Sequence, residues 1–267
     1  MKKYLLLLAA FTLALASCNR NQQEADAFSV KTITVEDSVH FPAEMVEEWM
    51  DDDMARYLAV VDVPETENED LRDNIINWIS GQLNENYDGD SQDVNAMVEY
   101  DKNEFLSFET GSPRSYLENF IKMAEDNDRY VSYSCEGWIY MGGAHGTSFK
   151  QGATFNKTNG ERFTYKMFKN PDLLTELIKS ALEKQYFEPL LEGNDITFEQ
   201  AVYSEVAESF PLSEAEPWIR NDSVIFNYAD YEIAAHVFGL PECGIPYEKL
   251  KNDLTDEGKA FFEPVKK

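Results

Sequence analysis

The sequence contains very few of the residues on which most enzyme chemistry depends. It has three histidines and three cysteines in 267 residues. It carries no nucleophile elbow, no His-Glu-x-x-His zinc motif, no phosphate-binding loop and no paired Cys-x-x-Cys. So few histidines allow only a few arrangements for zinc binding or general acid–base catalysis. We therefore expect no metal and no cofactor, although a missing motif does not exclude an enzyme.

Basic residues are also scarce. The chain has 23 Lys and Arg against 50 Asp and Glu, which gives a formal net charge of −27. Such an excess repels nucleic acid and anionic lipid headgroups, so no nucleic-acid partner is expected, and it attracts cationic proteins. The alternative is a surface whose acids serve only solubility. Disorder is not expected, because 43% of the residues are hydrophobic and 13% are aromatic.

Long apolar runs are absent after the first residues of the chain. Two lysines precede an apolar stretch from Tyr4 to Ala16, which is too short for a membrane span and has the layout of a secretory signal. Residues 15–17, Leu-Ala-Ser, lead directly into Cys18, whose thiol can accept diacylglycerol before cleavage and whose amino group can accept a fatty acyl group afterwards. This is the lipobox of bacterial lipoproteins. We expect a signal peptide over 1–17, a lipid on Cys18 and a tether over 18–27.

The expected mature chain is anchored to a membrane by lipid rather than by a helix. Removing a signal that holds two lysines and no acid leaves 21 basic and 50 acidic residues, a formal charge of −29. Asn19 follows Cys18 where an Asp would favour the inner membrane of a Gram-negative cell. The expected location is therefore the bacterial envelope at the outer membrane, on a face that the sequence leaves open.

The body after the tether alternates between strand and helix patterns. The Asn159-Gly160 dipeptide indicates a hairpin turn, which requires antiparallel pairing, and no Gly-rich phosphate loop follows a strand. These features favour an α+β fold with mixed or antiparallel sheets and packed helices. Period-two alternation predicts strands over 28–41, 56–63, 129–141, 149–155, 162–165 and 224–231. Helical spacing predicts helices over 69–87 and 112–127, a third from Pro171 to before Pro189, and a last one that begins at Pro246.

Three features of the body leave alternatives open. Cys135 and Cys243 can form a disulfide in an oxidising compartment or remain buried thiols. His145 lies in the turn Gly142-Gly143-Ala144-His145-Gly146, where it can face a ligand or simply complete a glycine turn. Glu232 follows Tyr231 at the end of a predicted strand, where its carboxylate can act on a substrate or anchor the next turn.

Two spaced motifs resemble a known family. Tyr140–Gly146 with Asn159-Gly160, followed by 224–234, Gly239 and 245–247, resembles a domain of unknown function found in the extracellular part of RsiV-type anti-sigma factors and in PdaC-type peptidoglycan deacetylases. In the anti-sigma factors this domain binds lysozyme, whereas in the deacetylases a separate domain carries the chemistry.

The resemblance implies two intimately associated α+β subdomains, a smaller companion over 28–128 and the RsiV-like domain over 129–267. His236 departs from the family pattern, because Ala235-His236 stands where the family often has Pro-Tyr. The resemblance and the expected exposure of these side chains suggest seven binding residues. They are Tyr140, Gly142, Gly143, His145, Tyr231, Glu232 and His236.

The leading hypothesis is a non-enzymatic lipoprotein that binds a cationic protein, with lysozyme-like muramidases as the named candidate. The sequence shows neither a deacetylase domain nor a membrane helix with a sigma-binding segment. A second hypothesis is an enzyme or accessory acting on cell-wall glycan, with His145 and Glu232 as its acid–base pair. A third is a structural interaction module of an envelope complex.

The lipobox predicts that replacing Cys18 abolishes membrane anchoring. A Cys18→Ala variant has no thiol to acylate, so it should leave the detergent-soluble membrane fraction and lose the mass of the lipid. Fractionation of the envelope with intact mass spectrometry measures both quantities. An unchanged membrane partition and an unchanged mass would contradict the prediction.

Overall fold

The computed structural model describes residues 28–48, 52–83, 86–109 and 111–263. The predicted signal, the lipidation site at Cys18 and the tether therefore lie outside the described residues. Within the described ranges, no helix has both the length and the apolar character needed to cross a bilayer.

The first half of the body is a five-stranded mixed sheet with two helices. The strands lie in the order β1-β2-β3-β4-β5, and all neighbours are antiparallel except β2 and β3, which are parallel. The elements are β1 Ser29–His40, β2 Met54–Glu65, α1 Glu69–Ser80, α2 Val94–Phe105, β3 Tyr116–Asp126, β4 Tyr130–Tyr140 and β5 Thr147–Asn156.

The second half is a three-stranded antiparallel sheet, in the order β6-β7-β8, with short helices. Two sheets with packed helices confirm the α+β class. The elements are α3 Thr175–Leu182, α4 Glu188–Leu191, α5 Phe198–Ala201, α6 Ser204–Glu208, β6 Trp218–Arg220, β7 Ser223–Asn227, β8 Glu242–Pro246, α7 Tyr247–Leu250 and α8 Asp256–Lys259. Short 3-10 turns occur at Ala43–Met45, Tyr165–Met167, Pro171–Leu174 and His236–Phe238, and a π-helical turn at Glu183–Phe187.

Helices α1 and α2 form the crossover that the parallel pair requires. Parallel strands cannot be joined by a tight turn, so the chain from β2 must cross one face of the sheet before it enters β3. The side chain of Asn68 caps α1 by accepting the N–H of Leu71. Helix α1 then buries Leu71, Ile75 and Ile79 against the sheet. It ends at Ser80, earlier than the predicted end at residue 87.

The helix predicted over 112–127 is wrong, because most of this segment is β3. Leu117, Phe120 and Ile121 satisfy a helical spacing, but β3 lies between β2 and β4 and forms main-chain hydrogen bonds with both. Pairing with distant strands overrides a local pattern of this kind. Helix α2, which begins with Asp93 accepting the N–H of Ala96, was not predicted.

Two other predicted boundaries also differ in the structure. The helix predicted to end before Pro189 continues to Leu191, because a π-helical turn comes first and places Pro189 in the first turn of α4, where no N–H is needed. After the predicted hairpin turn, the chain pairs with β5 through a single antiparallel bridge between Phe155 and Arg162 rather than along a full strand. Gly160 in its turn has a φ of 69°.

The two halves meet where β6 packs against the outer face of β4 and β5. The buried ring of Trp218 lies so close to Gly152 that a Cβ on the glycine would be 2.2 Å from the ring. Thr154 accepts the N–H of Ile219 at 2.8 Å, and the hydroxyl of Ser132 donates to the carbonyl of Ile219 at 2.7 Å. Hydroxyls that would otherwise face water are therefore buried between the two sheets.

This packing corrects the boundary predicted at residues 128 and 129. That boundary falls between β3 and β4, which pair directly within one sheet. The five-stranded sheet instead extends through Asn156 of β5. Each half is built around its own buried cluster, although Tyr130 of β4 belongs to the cluster of the second half.

The disulfide considered between Cys135 and Cys243 is not formed. Both thiols are free and buried, and they lie in the cores of different halves. The sulfur of Cys135 donates to Oδ1 of Asn119 at 3.4 Å. Burial raises the pKa of each thiol to about 12, with a further contribution from a neighbouring glutamate.

The contact between Gly152 and Trp218 predicts that Gly152→Ala destabilises the protein. A methyl group has no space there, so the ring or β5 must move, which costs about 1 to 3 kcal/mol in the free energy of unfolding. Urea denaturation measures the change. Gly81→Ala is the matched control, because its Cβ would meet only carbonyl oxygens, the nearest at 3.4 Å. Equal stability of the two variants would contradict the prediction.

Candidate functional site

Two loops, one from each half of the molecule, meet at one end of the sheets. The first follows β4 and contains Gly142 and Gly143, whose φ values of 92° and 98° favour glycine. The hydroxyl of Tyr140 donates to the carbonyl of Gly143 at 3.0 Å and closes this loop. The second loop follows β7, which ends at Asn227, so the strand predicted over 224–231 is shorter than expected.

Three rings from these loops stack on one another. The rings of His145 and His236 are nearly parallel with centroids 4.0 Å apart, and the ring of Tyr231 is 5.7 Å from that of His236. Nδ1 of His145 bonds to the carbonyl of Gly146, so this nitrogen carries the proton. Nε2 can then accept the hydroxyl of Tyr231 at 3.2 Å. We call Tyr231, His145 and His236 the ring cluster.

Asp230 fixes the position of the ring cluster. Its Oδ2 accepts a hydrogen bond from Nδ1 of His236 at 2.6 Å, and its side chain is only 5% exposed. The other oxygen, Oδ1, is buried and has no hydrogen-bond partner among the described residues. Burying a carboxylate oxygen without a hydrogen-bond donor is unfavourable. The contacts among the described residues therefore leave Asp230 with one unsatisfied acceptor.

Glu232 holds the second loop together. Its Oε1 accepts the N–H of Glu214 at 2.8 Å, and its Oε2 accepts the N–H of Ala229 at 2.6 Å. Burial raises the pKa of Glu232, and these two hydrogen bonds only partly offset that effect. No hydrogen bond between the described side chains joins Glu232 to His145.

A cleft of about 370 Å³ lies between the two halves beside this loop. One wall is residues 147–151 of β5, the last strand of its sheet. The other wall consists of Glu214, Ala215, Ala229, Asp230 and Glu232. His145 does not line the cleft, although it lies two residues before Thr147, which does. The site therefore combines an exposed ring cluster with an acidic cleft.

Lys150 in the first wall is bound by a network from the second sheet. Its Nζ lies 2.8 Å from Oε2 of Glu242, while Arg220 contacts Oε1 at 2.6 Å and Asn227 donates to Oε2 at 2.7 Å. Burial raises the pKa of Glu242, but the hydrogen bonds from Lys150, Arg220 and Asn227 outweigh burial. The pKa of Glu242 is therefore lower than its ordinary value.

Three exposed apolar side chains lie on the same two loops. Val237 is 80% exposed, Tyr231 is 50% exposed and Met141 is 44% exposed. Tyr231 also has a φ of 65°, which is uncommon for a residue other than glycine. Exposed apolar groups beside a residue in an uncommon backbone conformation make these loops a candidate contact surface.

The residues that the sequence suggested for binding all fall in this region. His145, Tyr231 and His236 contact one another, whereas Tyr140 and the two glycines shape the first loop and Glu232 supports the second. Sequence reasoning missed Asp230 and Val237. Asp230 lies next to Tyr231 in the recognised motif, which is a weak signal, and the exposure of Val237 had no signal in the sequence.

Comparisons with known proteins show similarity of fold. No protein-family model matches the sequence, and no curated protein matches it. A solved structure of a DUF3298 family member from Bacteroides fragilis superposes with a TM-score of 0.58 at 15% identity, covering 91% of this chain and 99% of that one. A DUF3298 family protein from Pseudomonas aeruginosa superposes with a TM-score of 0.53 at 15% identity, covering 86% and 96%. The chain thus shares the fold of these DUF3298 proteins, which belong to a family of domains of unknown function.

The network around Glu242 predicts a pH-dependent contribution to stability. Because folding lowers this pKa, the carboxylate stabilises the fold above its unfolded pKa of about 4.3 and loses that effect as the pH falls through the lower folded value. Glu242→Gln should lose about 1 to 3 kcal/mol in the free energy of unfolding at neutral pH, and the loss should shrink as the pH falls through the folded pKa of Glu242. Urea denaturation across this pH range measures the difference.

Glu248→Gln is the control for this measurement. Glu248 pairs with Lys251 at 2.7 Å, but its side chain is 74% exposed, and exposed pairs of this kind contribute little to stability. If Glu242→Gln behaved like this control at every pH, the network would not stabilise the junction.

Proposed function

We propose that this protein is a non-enzymatic binding module, held at the bacterial envelope by a lipid on Cys18, whose partner is a cationic protein. The observation that carries the proposal is the exposed ring cluster, with Val237 beside it and an acidic cleft next to it. A specific protein interface needs an aromatic or apolar centre that loses water on binding, with charges around it that guide the partner. The two loops supply both.

The centre is preorganised, which favours binding. Asp230 fixes His236, the His145 ring stacks on His236, and the hydroxyl of Tyr231 bonds to His145. These contacts hold Tyr231 in its strained conformation before any partner arrives. A group that is already ordered loses less conformational freedom on association, so more of the contact energy appears as affinity.

The charge of the chain favours a basic partner. The net charge of −27 produces a long-range attraction for a cationic protein. Glu214, Asp230 and Glu232 place acids next to the ring cluster as well. Long-range charge accelerates the encounter, and the ring cluster provides contacts that a uniformly acidic surface lacks.

Lysozyme-like muramidases are the named candidates for the partner. The motifs at 140–146 and 224–234 resemble the domain that binds lysozyme in RsiV-type anti-sigma factors, and lysozyme is strongly basic. The solved DUF3298 structures support a shared fold at 15% identity. The lysozyme partner therefore rests on the motifs and the charge.

The geometry supports an enzyme less well. Acid–base cleavage of a glycan needs two groups placed on either side of the scissile bond. Both oxygens of Glu232 accept main-chain N–H groups, and both ring nitrogens of His145 have partners. The raised pKa of Glu232 is explained by burial in the role of loop anchor.

The test separates specific contact from charge by adding an acid at the centre of the proposed interface. The full chain in a non-ionic detergent is passed over immobilised lysozyme, and its binding is compared with that of Val237→Glu. If charge alone governed binding, the extra acid would strengthen it. If Val237 is in the interface, we expect about tenfold weaker binding through a faster dissociation rate, with the association rate falling as salt is raised.

Leu173→Glu is the matched control, because Leu173 is 73% exposed and lies outside both loops. It should bind as the unmodified chain does or slightly faster. An unrelated protein of equal negative charge is the second control. Lysozyme binding no better than that of the unrelated protein, or equal effects of the two added acids, would contradict the proposal. Binding to an envelope protein other than lysozyme would instead favour a structural module.

A further inference from the structure

We infer that the cleft beside the ring cluster binds a cationic side chain, the guanidinium of an arginine or the ammonium of a lysine, with Oδ1 of Asp230 as its acceptor. The inference rests on the proposed function, because the cation is supplied by the partner protein. It adds a specific contact for one side chain to the general attraction between opposite charges.

The first observation is the state of Asp230. Its side chain is 95% buried, and only Oδ2 is used, in the bond to His236. Oδ1 is shielded from solvent and lacks a donor among the described residues. Asp230 also lines the cleft, so a donor that enters the cleft can reach this carboxylate with a small movement of the loop. A charged donor would satisfy an acceptor that the fold leaves without a partner.

The second observation is the sign of the charge around the cleft. Asp230, Glu214 and Glu232 lie along one wall, and the opposite wall has the single cation Lys150. Glu242 lies 2.8 Å from Lys150 but is shared with Arg220, so this network keeps one net positive charge. The three acids outnumber this positive charge, so the cleft attracts a cation more strongly than an anion.

The available oxygens favour a nitrogen cation over a metal ion. Calcium and magnesium take six or more oxygen ligands. Here His236 already uses one oxygen of Asp230, and main-chain N–H groups use both oxygens of Glu232. A guanidinium or an ammonium can be held by one carboxylate oxygen with further acids nearby.

The position of Asp230 links this contact to the ring cluster. The same carboxylate fixes His236 through Oδ2 and belongs to the lining of the cleft, so the two parts of the interface are adjacent. A partner that placed an apolar group on Tyr231 and Val237 would bring a neighbouring basic residue to the cleft. The cleft would therefore select for the position of a positive charge on the partner.

The experiment uses a small probe, so that it does not depend on the partner. The isotope-labelled full chain in non-ionic detergent is titrated with Nα-acetyl-arginine amide and followed by NMR. Nα-acetyl-citrulline amide has nearly the same shape without the charge and is the ligand control. We expect saturable shifts at the amides of 147–151 and 229–232 with the arginine probe, and none with citrulline.

Three variants identify the acceptor. Asp230→Asn keeps the shape and the bond to His236 but removes the charge, and it should weaken arginine binding by about tenfold or more. Asp256→Asn removes a fully exposed acid and should bind as the unmodified chain does. His236→Phe tests a purely structural role, because it keeps an aromatic ring but removes the donor to Asp230, and it should leave the arginine site in place.

Each outcome of these experiments either supports or overturns the inference. Unlocalised shifts, equal binding of arginine and citrulline, or full binding by Asp230→Asn would overturn it and leave a site filled by water. Equal losses in His236→Phe and Asp230→Asn would also overturn it, since Asp230 would then act only by shaping the loop. Arginine binding without lysozyme binding would contradict the proposed partner alone, and lysozyme binding unaffected by Asp230→Asn would contradict the cleft alone.

Discussion

The packing of Trp218 on Gly152 is the contact on which the rest of the structure depends. It places the second sheet on the outer face of the first, and the indole N–H continues the junction by donating to Asn227 at 2.6 Å. Asn227 in turn donates to Glu242, which binds Lys150 of β5. The loop with His145 comes from the first sheet and the loop with Tyr231 comes from the second. The ring cluster and the cleft exist only while this junction holds the two loops in register.

The local sequence pattern was sufficient to predict secondary structure where a segment's own residues determine it. The first two strands, β4, β5 and the start of α1 follow from alternation or from helical spacing with a cap. The same reasoning failed for β3, because Leu117, Phe120 and Ile121 satisfy either period and only the pairing with β2 and β4 decides between them. The burial of Ser132 also had no local signal, since it results from β6, which lies more than eighty residues further along the chain.

The candidate site likewise combines residues that a local motif indicates with contacts that only the folded chain creates. The glycine turn, His145 and the residues around Tyr231 were visible as motifs, because a strained backbone restricts which residues can occupy it. The contact between His145 and His236 was not visible, because ninety residues separate the two rings in sequence. The sequence left Glu232 open between catalysis and anchoring, and its two main-chain partners could be identified only in three dimensions.

The single parallel pair in the first sheet has a consequence for how the chain folds. Strands β1 and β2 are close in sequence, whereas β2 and its parallel partner β3 are separated by the segment that holds both crossover helices. Contacts between residues so far apart in sequence carry a large loop-closure cost before they become favourable, which slows folding. The unpaired edge of β2 is therefore open to other chains until β3 arrives. The assembly of this protein is most exposed to aggregation at that step, before either loop of the site has formed.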